Sequence, residues 1–143
     1  MKNITDIPKI CITPYIELMC GNKSIYNYTE TNYTVSDKVI QYLQIPNMYY
    51  VSPGVYTHPF KSNITLFGPY TYTDGHYYWD RDTWKYVLKY GLLLPERFIN
   101  HVMSEKGTEY LKQQLGTYYT LKTHEDLLNL PPTDCGDIPY CKF

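Results

Sequence analysis

The chain has 143 residues, 13 basic and 14 acidic, with a net charge of −1, 43% hydrophobic and 19% charged side chains. That length suits a single domain, 1–143, with a real core, and the composition excludes a disordered chain. The absence of a basic block excludes long nucleic acid as a partner, and no apolar run approaches the roughly 18 residues of a membrane span.

Eighteen residues are tyrosine. Tyr56, Tyr70, Tyr72, Tyr77, Tyr78, Tyr86 and Tyr90 crowd the middle of the chain together with Trp79 and Trp84. Each tyrosine is a flat apolar ring with a polar tip, ordered at low entropy cost, and so serves both cores and binding surfaces. The first residues lack the apolar core of a secretion signal, so a cytoplasmic location is expected. The Asn-x-Ser/Thr triplets at Asn3, Asn22, Asn27, Asn32 and Asn63 then follow from composition rather than glycosylation. Cys11, Cys20, Cys135 and Cys141 match no zinc spacing, and a reducing compartment keeps them as thiols. Neither a metal nor a cofactor is expected.

In chain order, residues 9 to 13 read as extended. Pro14 then permits a short helix with Tyr15, Leu18 and Met19 on one side. Residues 21 to 34 read as a polar loop or weak hairpin. Ser36 is placed to cap a helix carrying Val39, Ile40 and Leu43, which Pro46 ends. Met48 to Val51 reads as a strand, resumed at Val55 and Tyr56 until Pro59. Ile64 to Phe67 continues the sheet to a bend at Gly68-Pro69. Tyr70 to Thr73 and His76 to Trp79 are expected to pair around Asp74-Gly75, a strong hairpin signal. Asp80 or Asp82 caps the next helix, with Trp84, Val87 and Leu88 on one face and Gly91 at its end. Pro95 opens a further helix through Phe98, Ile99, Val102 and Met103, ended by Gly107. Thr108 to Leu115 gives one more. The expected class is α+β: a small antiparallel sheet within about residues 48–80, followed by and packed against short helices.

The run Gly68-Pro-Tyr-Thr-Tyr-Thr-Asp-Gly75, then Trp79, Tyr86, Tyr90, Leu94-Pro95 and Phe98, resembles a set of small, mostly uncharacterised bacterial and phage proteins. Their pattern is Thr-Asp-Gly-x-x-x-Trp, Tyr-x-x-x-Tyr, Leu-Pro-x-x-Phe, and the resemblance covers about residues 53–103. It implies a bacterial or phage origin and a place among toxin-immunity or anti-defence proteins. It carries no catalytic residues across.

Asp74, His76, Asp80 and Asp82 lie close enough in sequence to suggest a metal or acid–base site, the basis for a small metal-dependent hydrolase. Each also has a local task, Asp74 in the turn and Asp80 or Asp82 at the helix start, so no catalytic residue is assigned. His58, His101 and His124 are scattered, and none stands at ligand spacing from a cysteine. Adjacent tyrosines in a strand point to opposite faces, so one each of Tyr49/Tyr50 and Tyr77/Tyr78 should face outward. The expected function is non-catalytic binding. Tyr70, Tyr72, Tyr78, Trp79 and Trp84 would form an aromatic platform and Arg81 would pair a phosphate, sequestering a nucleotide-derived signal. A homo-oligomer is compatible with this, since pockets often form at subunit junctions. The alternative is an inhibitor or immunity protein whose aromatic patch blocks a bacterial effector protein such as a toxin or defence enzyme.

Overall fold

The hairpin around Asp74-Gly75 is the centre of the molecule. The structure, a computed structural model, describes residues 10–115. Strands β5 (Tyr70–Thr73) and β6 (Tyr77–Asp80) pair antiparallel, with Thr71 opposite Asp80, Tyr72 opposite Trp79 and Thr73 opposite Tyr78. The Asp74 carboxylate widens the turn. Its Oδ1 accepts the N–H groups of His76 (2.8 Å) and Tyr77 (2.7 Å). The pairing is therefore shifted by two residues from a minimal Asp-Gly hairpin, a shift that leaves every side chain on its expected face.

Among the described residues two further strands join this sheet. On one side β2 (Met48–Val51) runs antiparallel to β5. On the other, the two-residue β1 (Ile10–Cys11) lies parallel to β6, Ile10 opposite Tyr77 and Cys11 opposite Tyr78. The order is β1-β6-β5-β2. The sheet is thus mixed rather than purely antiparallel. A separate antiparallel pair, β3 (Val55–His58) and β4 (Lys61–Phe67), folds back so that Tyr56 and Leu66 enter the core. The class is α+β, with four helices among the described residues packed against these strands.

Helix α1 (Asp37–Gln44) buries Val39, Ile40, Tyr42 and Leu43. Ser36 occupies its N-cap position, but its hydroxyl turns to Met103 Sδ (3.8 Å) instead of a backbone N–H. Helix α2 (Thr83–Tyr90) starts two residues later than a cap at Asp80 would place it, and directly after Asp82, the other expected cap position. Asp82 holds the N-cap position without a side-chain cap, and the Asp80 carboxylate accepts the Asp82 N–H (2.9 Å). Gly91 ends α2 at φ 66°, and a Cβ there would stand 2.0 Å from the Glu30 carbonyl oxygen. That close approach lets Thr29 bridge to Leu92. Pro95 caps α3 (Glu96–Met103) rather than opening it.

Gly107 does not end α3. The break comes at Ser104, and Gly107 lies inside α4 (Glu105–Leu115), where a Cβ would stand 2.2 Å from the Val102 carbonyl oxygen. The glycine permits contact between consecutive helices, not a stop. The short helix expected after Pro14 is a 3-10 turn at Ile16–Leu18. It buries Tyr15 and Leu18 but leaves Met19 in a left-handed conformation, 65% exposed.

The core lies between the sheet and the helices. Trp79 is wholly buried, its ring centroid 5.4 Å from Phe98 and 6.0 Å from Tyr42. Tyr77 packs edge-on against Phe98 at 5.4 Å. Among the described residues no helix is long and apolar enough to cross a membrane. His124, Cys135 and Cys141 lie outside the described residues.

Candidate functional site

Alternation sends the two sides of β6 to different surroundings. Tyr77 and Trp79 meet the helices. Tyr78 and Asp80 face the opposite side of the sheet, with Thr71 beside Asp80 and Cys11 beside Tyr78. The segment from Thr13 to Cys20 folds over this second face. Tyr15 and Leu18 anchor it in the core. The Glu17 carboxylate fastens it further, accepting the Ile25 N–H (2.7 Å) and the Ser24 hydroxyl (2.9 Å).

Between the segment and the sheet lies a cavity of about 370 Å³, within the range of small-molecule sites. Its aromatic wall comes from Tyr49, Tyr50 and Tyr78. Tyr49 and Tyr78 stand 5.1 Å apart at 46°, forming an open corner. Leu18 and Met19 supply apolar surface, Thr13 and Thr71 hydroxyl groups, and Cys11 and Cys20 a pair of thiols. Asp80, 4% exposed, closes the inner end.

The acids around this cavity resist ionisation. Burial pushes the Cys20 thiol up to about 12, and Cys11 (Sγ–Sγ 3.5 Å) and Asp80 add to the shift. Burial, Cys11 and Cys20 together raise Tyr78. Burial and the neighbouring Asp82 raise the Asp80 carboxyl to about 7, against the Asp82 N–H, the field of Arg81 and the Tyr56 hydroxyl (3.4 Å). A carboxyl near 7 is a suitable general base. Yet the nearby thiol is held as a thiol, and a proton would have to move uphill from about 12 to about 7. Activated cysteines are shifted in the opposite direction.

Of the side chains expected to form the aromatic platform, the structure brings only Tyr78 to this cavity. Trp79 is a core residue, 0% exposed, with its indole N–H donated to the Leu43 carbonyl (3.1 Å). Tyr72 is partly buried against the same core. Arg81 is 9% exposed, lies 4.3 Å above the Tyr70 ring, and has its Nε 3.7 Å from Asp82. Lys85 reaches Asp82 at 3.2 Å and lies 5.2 Å from the Trp84 ring. Arg81 and Lys85 therefore flank Asp82, each with an aromatic ring against it, Tyr70 and Trp84. Tyr49 and Tyr50, of which one was expected inward, are both exposed, on a strand that ends the described sheet and carries a register shift between Met48 and Tyr50. Tyr49, Cys11, Cys20 and Asp80 were not foreseen as companions of Tyr78. Hairpin alternation is the signal that links Thr71, Tyr78 and Asp80.

The acidic constellation divides between two places. Asp74 and His76 meet His101, whose Nε2 lies 3.2 Å from Asp74 Oδ2 and whose ring stacks on His76 at 5.2 Å. Tyr42 donates its hydroxyl to the same Oδ2. With two backbone N–H groups on Oδ1, the roughly four acceptor positions of the carboxylate are filled. Asp74 thus joins the turn to α1 and α3. Asp80 sits at the far end of β6 beside Tyr56. Among the described residues no group of three or more His, Cys, Asp or Glu side chains is placed to hold a metal ion. Comparison of the chain with family models, curated proteins and solved structures found no match.

Proposed function

We propose that the protein is a non-catalytic binding protein that acts by occupancy, holding a small molecule in the cavity between Tyr49, Tyr78 and Asp80. One observation supports this above others. The cavity joins an aromatic corner, two threonines and a buried carboxyl in about 370 Å³, with the Cys20 thiol beside them held protonated by burial. Apolar walls with a few converging polar groups are the usual form of a ligand site. The expected nucleotide-type ligand fits less well at its phosphate, because Arg81 is engaged with Tyr70 and Asp82. The flat part of such a ligand has its place at the Tyr49–Tyr78 corner. A role in bacterial or phage conflict rests on the turn–hairpin–helix resemblance around Asp74-Gly75 and Leu94-Pro95.

Native mass spectrometry of purified protein tests the reading. A bound mass lost on denaturation, and absent from Tyr49→Ala, is expected. Protein that stays free of ligand across small-molecule extracts of the host cell would overturn it.

A second reading is favoured by β2. Met48, Tyr49, Tyr50 and Val51 are all exposed on a strand at the end of the described sheet, the kind of position at which an extended segment of a partner protein can be added. An inhibitor or immunity protein would dock there. A captured protein whose binding is lost on substituting Val51 by proline would favour this reading.

A further inference from the structure

The charges around the cavity restrict what it can hold. Among the described residues, no lysine, arginine or histidine lines it. An anionic ligand would enter beside Asp80 with no counter-charge among the described lining residues. Arg81 and Lys85 stand 3.7 and 3.2 Å from Asp82, and the field of Arg81 reaches Asp80 as well, without either cation lining the cavity. The groups bonded to the Asp80 oxygens are neutral donors, the Asp82 N–H and the Tyr56 hydroxyl. Burial, Cys11 and Asp80 all disfavour an anion at Cys20, and burial, Cys11 and Cys20 do so at Tyr78. The Asp80 carboxyl is the group that sets the sign: a cation beside it favours the carboxylate form and is favoured by it, whereas an anion meets like charge.

The aromatic wall favours the same sign. The faces of tyrosine rings are electron-rich and attract cations within about 6 Å of the ring centroid, most strongly where water is excluded. The corner between Tyr49 and Tyr78 offers two such rings. Thr13 and Thr71 add hydroxyl oxygens near the carboxyl, so a group with several N–H donors can be satisfied. Thr13 Oγ1 already accepts the Asp80 N–H (3.1 Å), which fixes it beside the acid.

We infer that the cavity takes an organic cation, a primary ammonium on a compact apolar body, with its nitrogen toward Asp80, Thr13 and Thr71 and its body against Tyr49 and Tyr78. The inference rests on the proposal that this cavity is the binding site. It names a ligand class opposite in charge to a phosphate-bearing signal.

Three probes of similar size and different charge test it: phenethylammonium, phenethyl alcohol and phenylacetate. Each is titrated by calorimetry and by the NMR ring signals of Tyr49 and Tyr78. The ammonium is expected to bind about tenfold or more tightly than the alcohol, with phenylacetate weakest. Asp80→Asn should bring the ammonium and alcohol affinities together. Tyr49→Leu, at a half-exposed position that does not threaten folding, should do so in part. Equal binding of all three probes, or a preference for phenylacetate, would overturn the cation assignment and leave the cavity as a binding site. Ring signals unmoved by all three at millimolar concentration would overturn both.

Discussion

The indole N–H of Trp79 is bonded to the carbonyl oxygen of Leu43 at 3.1 Å, and this bond joins the central strand to α1. It also explains why a tryptophan in an aromatic-rich hairpin does not face solvent. A buried indole needs an acceptor, and the C-terminal turn of a helix has carbonyls to offer. Trp79→Ala is therefore expected to destabilise the fold by about 3–5 kcal/mol in chemical denaturation. Trp79→Phe should cost less and leave ligand affinity unchanged. Altered affinity with unchanged stability would return Trp79 to the site.

Arg81 follows the same logic. Its guanidinium lies over Tyr70 and beside Asp82, whose side chain is 2% exposed. Removing it leaves buried acids less compensated. Arg81→Ala should lower stability by about 3 kcal/mol. A variant with unchanged melting temperature and lost ligand would instead make Arg81 a ligand contact.

Tyr49 is 46% exposed, and its ring meets Tyr78 at the mouth of the cavity. Tyr49→Ala should barely move the melting temperature while weakening ligand binding by about 2 kcal/mol, roughly thirtyfold. Full affinity in this variant would place the ligand elsewhere.

The Asp80 carboxyl has a folded-state pKa near 7, raised from 3.8 by burial, with Asp82 adding to the shift and Arg81 and Tyr56 opposing it. A group whose pKa is higher in the folded state contributes stability that is present below its unfolded value and lost as pH rises through the folded one. Wild-type stability relative to Asp80→Asn should therefore fall between about pH 4 and pH 7.5, as read by urea denaturation across that range. A flat difference would show that Asp80 is ionised throughout.

Cys20, held up to about 12, should be alkylated by iodoacetamide at neutral pH at least a hundredfold more slowly than an unfolded cysteine, in proportion to its thiolate fraction. Peptide mapping after a timed reaction measures the rate. Reaction at the unfolded rate would contradict the placement of Cys20 beside Cys11 and Asp80.

The elements written in local chemistry were legible. Asp74-Gly75 marks the hairpin, Gly91 the end of α2, and the Val39, Ile40, Leu43 spacing the buried face of α1. Alternation correctly turned Tyr78 away from the helices, and it already separated Tyr78 from Tyr70 and Tyr72, which sit on the other side of their strand. The platform grouped residues by type where periodicity divided them. Two features could not be read locally. Ile10 and Cys11 are too short a run to show a strand pattern, and their parallel partner lies far along the chain. The cavity exists only once the segment through Leu18 and Cys20 has been laid on the sheet, so its membership is a tertiary property. Gly107 was misjudged because a glycine that admits a neighbouring carbonyl looks, in sequence, like one that ends a helix.

The parallel pairing of Ile10 with Tyr77 has a consequence for the order of assembly. The hairpin from Tyr70 to Asp80 closes over a few residues and can form early, whereas β1 reaches β6 only by closing most of the described chain into a loop. Such closure is entropically unfavourable until the later contacts compensate for it. During synthesis the first strand leaves the ribosome long before its partner and must wait unpaired. The cavity, whose wall includes Cys11, is then among the last parts to take shape, and a ligand held there would report finished folding rather than aid its beginning.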